Sequence, residues 1–154
     1  MIPLSTLNGE KSLQLVDLHP MRISQRGLYA LQALVVLARH YSDDVVKIHD
    51  IAKEEQLPEK FLETILRDLK RGRFVTSSRG VNGGYRLQRH PQEIYLGQVL
   101  RMIDGPLAPF EDAESLRLRI QQDAKHRPLF RLLLEVRDAT ARILDKASLA
   151  DICR

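Results

Sequence analysis

The sequence has little cysteine, no long apolar run and no secretory leader pattern. Its 154 residues include one cysteine, Cys153, which can form no intrachain disulfide and cannot alone supply a multi-cysteine zinc or iron–sulfur site. No stretch approaches the roughly 20 apolar residues that cross a bilayer. Residues 1–20 also lack an apolar signal core. We therefore expect a cytoplasmic protein of about one domain, with no membrane partner and no cofactor or metal.

Positive charge is concentrated in one part of the chain. The whole sequence has 24 basic and 20 acidic residues, a net charge of +4. Residues 60–89 contain eight basic and two acidic residues, so this window carries +6 and the remainder of the chain carries −2. The concentration favours a polyanionic partner, although a solvated basic face would have the same composition.

The N-terminal third predicts an extension followed by a helix. Residues 1–20 show no sustained period, and we interpret them as an N-terminal extension or as the product of a mistaken start upstream of Met21. Ser24 is a suitable N-cap for the segment that follows it. In that segment apolar residues recur every three or four positions, which predicts a helix with one buried face. The residues expected on that face are Leu28, Leu31, Leu34, Val35, Ala38 and Tyr41.

The middle of the chain predicts a winged helix-turn-helix. A short helix is expected from about His49 to Gln56, and a second from Pro58, in its first turn, to Arg71, with Gly72 as its stop. Two short strands, 74–78 and 85–89, flank a glycine-rich hairpin tip. The apolar face predicted for the second helix comprises Phe61, Leu62, Ile65, Leu66 and Leu69. The fold class is therefore mainly helical, with a small β-hairpin wing.

The polar face of the second helix has the chemistry to contact DNA. A helix fits the major groove, where its N-terminal side chains reach base edges and cations further along contact phosphates. The candidate residues on this helix are Lys60, Glu63, Thr64, Arg67, Lys70 and Arg71. In the wing they are Arg79, which could enter the minor groove, with Asn82 and Gly83. The alternatives are an ordinary surface helix and an exposed turn arginine; a phosphate-binding loop is excluded because no Gly-Lys-Ser/Thr follows.

The C-terminal part predicts a dimerisation helix. A short helix from Leu96 to Ile103 is followed by a linker and by a helix over about 112–125. A longer helix, from Pro128 to about Lys146, repeats its apolar residues close to a heptad pattern. Its predicted dimer seam comprises Leu129, Leu133, Val136 and Ile143. The sequence predicts four divisions. Residues 1–20 are an extension, and residues 21–104 are a winged helix-turn-helix domain. Residues 105–127 are a linker that binds an effector or supports the dimer, and residues 128–154 are the dimerisation helix with a final turn capped by Ser148.

Four segments carry a resemblance to a known family: MRISQRGLYALQAL (21–34), FLETILRDLKRGRFV (61–75), SRGVNGGYRL (78–87) and SLADI (148–152). They resemble the iron–sulfur cluster regulators, which include bacterial repressors of the IscR, NsrR, RirA and CymR type. The resemblance implies a homodimer that binds double-stranded DNA at a partly palindromic operator. It implies base contacts from Lys60, Glu63 and Thr64, a minor-groove role for Arg79, and backbone contacts from Ser24 and Arg26. At Lys60 and Thr64 some members carry serine and glutamine, so a different operator is expected.

The sequence departs from that family where the family senses its signal. Cluster-binding members have three cysteines between the wing domain and the long helix, whereas residues 110–126 contain none. His126 lacks neighbours at metal-ligand spacing, and we interpret it as a residue of the helix start. We therefore predict a cluster-free regulator, whose signal is a small molecule, a partner protein or the redox state of Cys153.

Two other functions remain to be weighed against a DNA-binding regulator. One is a protein-interaction module that keeps the fold but not operator binding; salt-dependent DNA binding would separate the two. The other is an enzyme, which we do not expect because no nucleophile–base pair, metal set or paired carboxylates stand out in the sequence.

Overall fold

The structure is a computed structural model that describes residues 23–42, 45–106 and 112–153. The predicted N-terminal extension, residues 1–20, therefore lies outside the described residues. The helices are α1 (Gln25–Arg39), α2 (Ile48–Glu55), α3 (Glu59–Arg71), α4 (Leu96–Asp104), α5 (Ala113–Gln122), α6 (Arg127–Lys146) and α7 (Leu149–Ile152). The strands are β1 (Val75–Ser78) and β2 (Gly84–Leu87), and a 3-10 turn spans Pro91–Glu93. Among these residues no helix is long and apolar enough to cross a membrane.

Helix α1 begins where the sequence predicts, but its buried surface matches the predicted face only in part. The Ser24 hydroxyl caps it by accepting a hydrogen bond from the Gly27 amide at 2.9 Å. Leu28 and Tyr41, expected to be buried, are 48% and 44% exposed. Leu34 is fully buried as expected, and Leu31, Val35 and Ala38 pack partly buried against the core. The other buried residues, which were not expected, are Gly27, Ala30, Ala33, Val36 and Leu37. Because α2, α3 and α4 all contact α1, its buried surface is wider than the single stripe that the periodicity predicts.

Helices α2 and α3 form the helix-turn-helix. Helix α2 ends at Gln56, which has left-handed backbone geometry with φ at 54°, and the chain turns before Pro58. Pro58 occupies the N-cap position, one residue before the helical turn in which we expected it. The interior side of α3 buries four residues, Leu62, Ile65, Leu66 and Leu69. Phe61, expected on the same face, is 42% exposed, because its position turns it toward α1 rather than into the core.

The wing is an antiparallel two-stranded hairpin, to which Val46, a residue outside both strands, adds an isolated β-bridge. Strands β1 and β2 pair in a register that sets Val75 opposite Leu87. Val46 adds a bridge to Tyr85, with both N···O distances at 2.8 Å. At the tip Gly80 has φ at 104°, which favours glycine. The hairpin order and its tip were predicted, whereas the contact from Val46 was not.

The final turn of the chain packs with the N-terminal part rather than with α6. Leu149 on α7 is fully buried in the core formed with α1, α3 and the wing strands. Its amide donates to the Ile94 carbonyl at 2.7 Å, and Ser148 caps the turn as expected. Cys153 packs partly buried against the same core. The turn grouped by sequence with the dimerisation helix therefore contributes to the core of the winged domain.

Helices α5 and α6 form a helical hairpin and pack against each other. Helix α5 packs along α6 and buries Leu116, which is 2% exposed. Helix α4 connects α6 to α1. Within the described residues, α6 has no buried residue along its 20 positions.

Candidate nucleic-acid interface

The outward side of α3 presents the three residues expected to read base edges, together with Arg67, which is expected to contact phosphates. Lys60, Glu63, Thr64 and Arg67 are all exposed, while the opposite side of the helix is buried. In the part of the chain that the structure describes, these four side chains form no hydrogen bond or ion pair. Their charges and donors are therefore available to an external ligand.

The cations at the end of α3 have intramolecular partners. The Lys70 ammonium donates to the Ser77 hydroxyl at 2.7 Å, which connects α3 to strand β1 of the wing. The Arg71 guanidinium donates to the Asp68 carboxylate at 3.3 Å, and Arg71 remains 79% exposed in its side chain. Both cations are on the surface, so their charge still contributes to the positive potential around α3.

The wing tip places its predicted residues at the surface. Arg79 and Asn82 are exposed, and neither has a partner among the described residues. Gly83 donates its amide to the Gly80 carbonyl at 2.9 Å. A Cβ atom at Gly83 would lie 2.5 Å from the Ser78 carbonyl oxygen, so this glycine is needed for the tight turn. Its role is therefore to shape the tip that carries Arg79.

The two residues at the start of α1 are engaged within the protein. The Ser24 amide donates to the Asp104 carboxylate at 3.0 Å, and the Ser24 hydroxyl donates to the same carboxylate. The Arg26 guanidinium forms an ion pair with Asp68 on α3. These contacts fix the start of α1 beside α3 and α4. Ser24 remains exposed and Arg26 is 41% exposed in its side chain, so both keep a surface for a phosphate.

Two features near α3 were not identified from the sequence. One is an open cleft of about 460 Å³, lined by Arg26, Asp68, Arg71, Gly72 and Met102. The other is the ring pair of Tyr29 and Phe61, which meet edge to face with centroids 5.7 Å apart. The sequence signal for this ring pair was Phe61 in the first turn of α3, which we assigned to the buried face.

The predicted dimer seam lies along the exposed side of α6. Leu129 and Ile143 are 50% and 69% exposed, and Leu133 and Val136 are half-buried. Leu132 on the same helix is 56% exposed. The helix therefore presents an apolar strip that the described residues of one chain do not cover.

Comparison with known proteins identifies the family. The family model for Rrf2, described as iron-dependent transcriptional regulators, matches residues 23–154. The chain belongs to the Rrf2 family. It is a DNA-binding transcription regulator of the helix-turn-helix type, and its relatives are regulators rather than enzymes.

Bacterial regulators and their structures resemble the chain over most of its length. The transcriptional regulator CymR of Bacillus subtilis is 32% identical over 132 residues, which are 86% of this chain and 89% of that protein. A putative regulator of Mycobacterium tuberculosis, Rv1287, is 47% identical over 92 residues, which cover 60% of this chain and 57% of that protein.

Two solved structures have the same fold. That of CymR (YrzC), the global cysteine regulator of B. subtilis, has a TM-score of 0.74 with 29% identity, over 86% of this chain and 95% of that one. The structure of T. potens IscR has a TM-score of 0.64 with 30% identity, over 85% of each chain. Both similarities extend beyond the winged domain into the C-terminal helices.

The residues present do not fit an iron–sulfur cluster. Cluster ligation normally uses several thiolates, and the chain has only Cys153. That thiol packs against the core, and burial raises its pKa, which disfavours the ligating thiolate. His126 is engaged with the Asp123 carboxylate at 2.8 Å. Among the described residues no three His, Cys, Asp or Glu side chains are grouped to hold a metal.

Proposed function

We propose that the protein binds an operator as a homodimer, with α3 in the major groove and the wing tip in the minor groove. The observation that carries this proposal is the exposed polar face of α3, immediately followed by a hairpin with an exposed arginine. Lys60, Glu63 and Thr64 lie near the start of α3, where side chains of a recognition helix reach base edges. Arg67, Lys70 and Arg71 lie further along and suit phosphates.

A second copy of the chain would cover the exposed apolar strip of α6. Leu129 and Ile143 are more exposed than is usual for apolar side chains of an amphipathic helix, and they share a strip with Leu133 and Val136. An isologous contact along this strip would bury it in both copies at once. A twofold dimer then places two α3 helices on two related half-sites, which accounts for a partly palindromic operator.

We further propose that this regulator acts without an iron–sulfur cluster. The single, partly buried thiol and the engaged histidine support that view. The signal would then be a small molecule or a partner protein. Partial burial against the core raises the pKa of the Cys153 thiol, which disfavours the thiolate that a redox signal would use.

The test of this function is DNA binding by iron-free protein. Genomic fragments that the purified chain retains would be sequenced, and their affinity measured over a series of salt concentrations. We expect specific fragments, with log K falling against log salt by about 0.9 for each phosphate contacted. Binding that ignores salt, or no retained fragments, would favour the protein-interaction module.

The cluster-free state has its own experiment. The protein would be purified anaerobically and incubated with iron and sulfide. We expect no visible absorption and unchanged DNA affinity. A brown protein with stoichiometric iron, lost on substitution of Cys153 or His126, would contradict the proposal.

A further inference from the structure

An aromatic side chain in the first turn of α3 is exposed where the sequence predicted burial. Phe61 follows Lys60 and precedes Glu63 and Thr64, the residues proposed to reach base edges. Its exposed fraction is 42%, while the neighbouring Leu62 is fully buried. A single exposed apolar residue is common on protein surfaces. Phe61 is notable because it lies in the first turn of α3, the helix that we propose enters the major groove.

The ring is held in place by α1 rather than free in solvent. Tyr29 meets it edge to face, with an interplanar angle of 86° and centroids 5.7 Å apart. The Tyr29 hydroxyl in turn accepts a hydrogen bond from the Gln25 side chain at 2.8 Å. The Phe61 ring is thus held against Tyr29, and a side chain held in this way loses little conformational entropy when it meets a ligand.

The ring lies on the edge of α3 that separates its buried side from its exposed polar side. Each residue advances about 100° around a helix, so Phe61 and Asp68, seven residues later, share one edge. Asp68 pairs with Arg26 on α1, which shows that this edge faces the start of α1. The exposed neighbours of Phe61 on the other side, Lys60 and Thr64, are polar. A lone ring among polar side chains is too small to dock a protein.

We propose that Phe61 is a specificity-determining residue that contacts the C5-methyl group of a thymine in each half-site. The inference rests on the proposed insertion of α3 into the major groove. There the thymine methyl is the apolar group that distinguishes thymine from the other bases, and apolar side chains such as phenylalanine recognise it. Lys60, Glu63 and Thr64 supply hydrogen-bonding groups, whereas Phe61 supplies an apolar surface much larger than the single methyl group of Thr64.

The test removes the methyl group from the DNA rather than from the protein. The iron-free wild-type chain would select its operator from random duplexes, and each thymine would then be replaced singly by deoxyuridine. Because burial of one methyl group corresponds to about a fourfold change in affinity, we expect a loss of about that size at one thymine per half-site and none elsewhere.

Variants assign that loss to Phe61. Phe61→Ala should weaken operator binding and make the protein indifferent to the sensitive thymine, whereas Phe61→Leu, which stays apolar, should retain part of the discrimination. Leu28→Ala is the matched control, since Leu28 is 48% exposed but lies on α1; it should keep both affinity and discrimination. Circular dichroism checks that each variant is folded.

Three outcomes would overturn the inference. Wild-type protein that tolerates deoxyuridine at every position would exclude a methyl contact. Phe61→Ala protein that binds more weakly but remains fully sensitive to deoxyuridine would assign Phe61 a structural role only. Failure to select any operator would overturn the proposed function and, with it, this inference, whereas the first two outcomes leave operator binding intact.

Discussion

The helices α3 and α6 differ in how many of their apolar side chains are buried within one chain. Helix α3 has five large apolar residues in 13 positions and buries four of them. Helix α6 has ten apolar residues in 20 positions and, within the described part of the chain, buries none. Composition therefore does not explain the difference. The winged domain supplies α3 with a core, whereas the main contacts of α6 among the described residues are with α4 and α5.

This difference separates a self-sufficient region from an incomplete one. Burial of a large aliphatic side chain stabilises a fold by about 1.5–3 kcal/mol, and the winged domain obtains that stabilisation within one chain. The apolar strip of α6 would contribute a comparable stabilisation only if a second surface buried it. The predictions that follow test whether that surface is another copy of the chain.

The largest effect is expected from a charge in the apolar strip of α6. Val136→Glu would place a carboxylate in the proposed seam of both copies, and burial of an unpaired charge is strongly unfavourable. We expect monomers or aggregates by sedimentation. Arg131→Glu, on the opposite side of α6, is the control and should leave the dimer intact. If both variants associate like the wild type, α6 is not the interface.

The next effect compares a core leucine with an exposed one. Leu66 is fully buried and Leu132 is 56% exposed. Leu66→Ala should lower the free energy of unfolding by about 2–5 kcal/mol, whatever the protein concentration. Leu132→Ala should act mainly through association, so its effect in denaturant titrations should depend on protein concentration. Equal, concentration-independent losses would remove the distinction between the two regions.

A smaller effect is expected in DNA binding by the wing. Arg79→Ala should weaken specific binding by about 1–3 kcal/mol without changing thermal stability, because the side chain is exposed and free of intramolecular partners among the described residues. Arg117→Ala on α5 removes the same charge elsewhere and is the control. Equal affinity of the two variants at matched salt would exclude Arg79 from the interface.

The smallest effect concerns the ion pair that joins the two regions. Arg101 on α4 contacts Asp145 on α6 through N···O distances of 2.5 and 2.8 Å, and its hydrogen bonds lower the pKa of the Asp145 carboxyl. A lowered folded-state pKa stabilises the fold above the unfolded value of about 3.9 and loses that stabilisation as pH falls through the folded value.

The corresponding variant is Asp145→Asn. Because the pair is exposed, it should cost less than about 1 kcal/mol at neutral pH. Denaturation measured from neutral to acidic pH should show a weaker acid dependence than in the wild type. An unchanged pH profile would show that the pair does not connect the regions energetically.

Local signals in the sequence predicted much of this structure. Ser24 and Ser148 were identified as helix caps because short hydroxyl side chains satisfy free amides at helix starts. The order of helices and hairpin predicted the winged fold. The exposed residues of α3 followed from periodicity, because charged side chains alternate with a continuous apolar side.

Tertiary contacts decided what the sequence alone could not. Periodicity predicted one buried stripe on α1, whereas packing also buries Ala30, Ala33 and Val36 and leaves Leu28 and Tyr41 exposed. Val46 lacks any strand of its own and was recognisable only from its bridge to Tyr85. Phe61 was assigned to the core because hydrophobicity does not show which edge of α3 faces Tyr29. The final turn that contains Leu149 was grouped with the dimerisation helix, although Leu149 packs in the core of the winged domain.

Sedimentation equilibrium of the iron-free wild-type chain tests the central claim most directly. At tens of micromolar, and without DNA, the account predicts a mass of twice that of the chain, with dissociation only on strong dilution. A species with the mass of one chain at that concentration would contradict it, because α6 would then leave its apolar strip in water without a second copy.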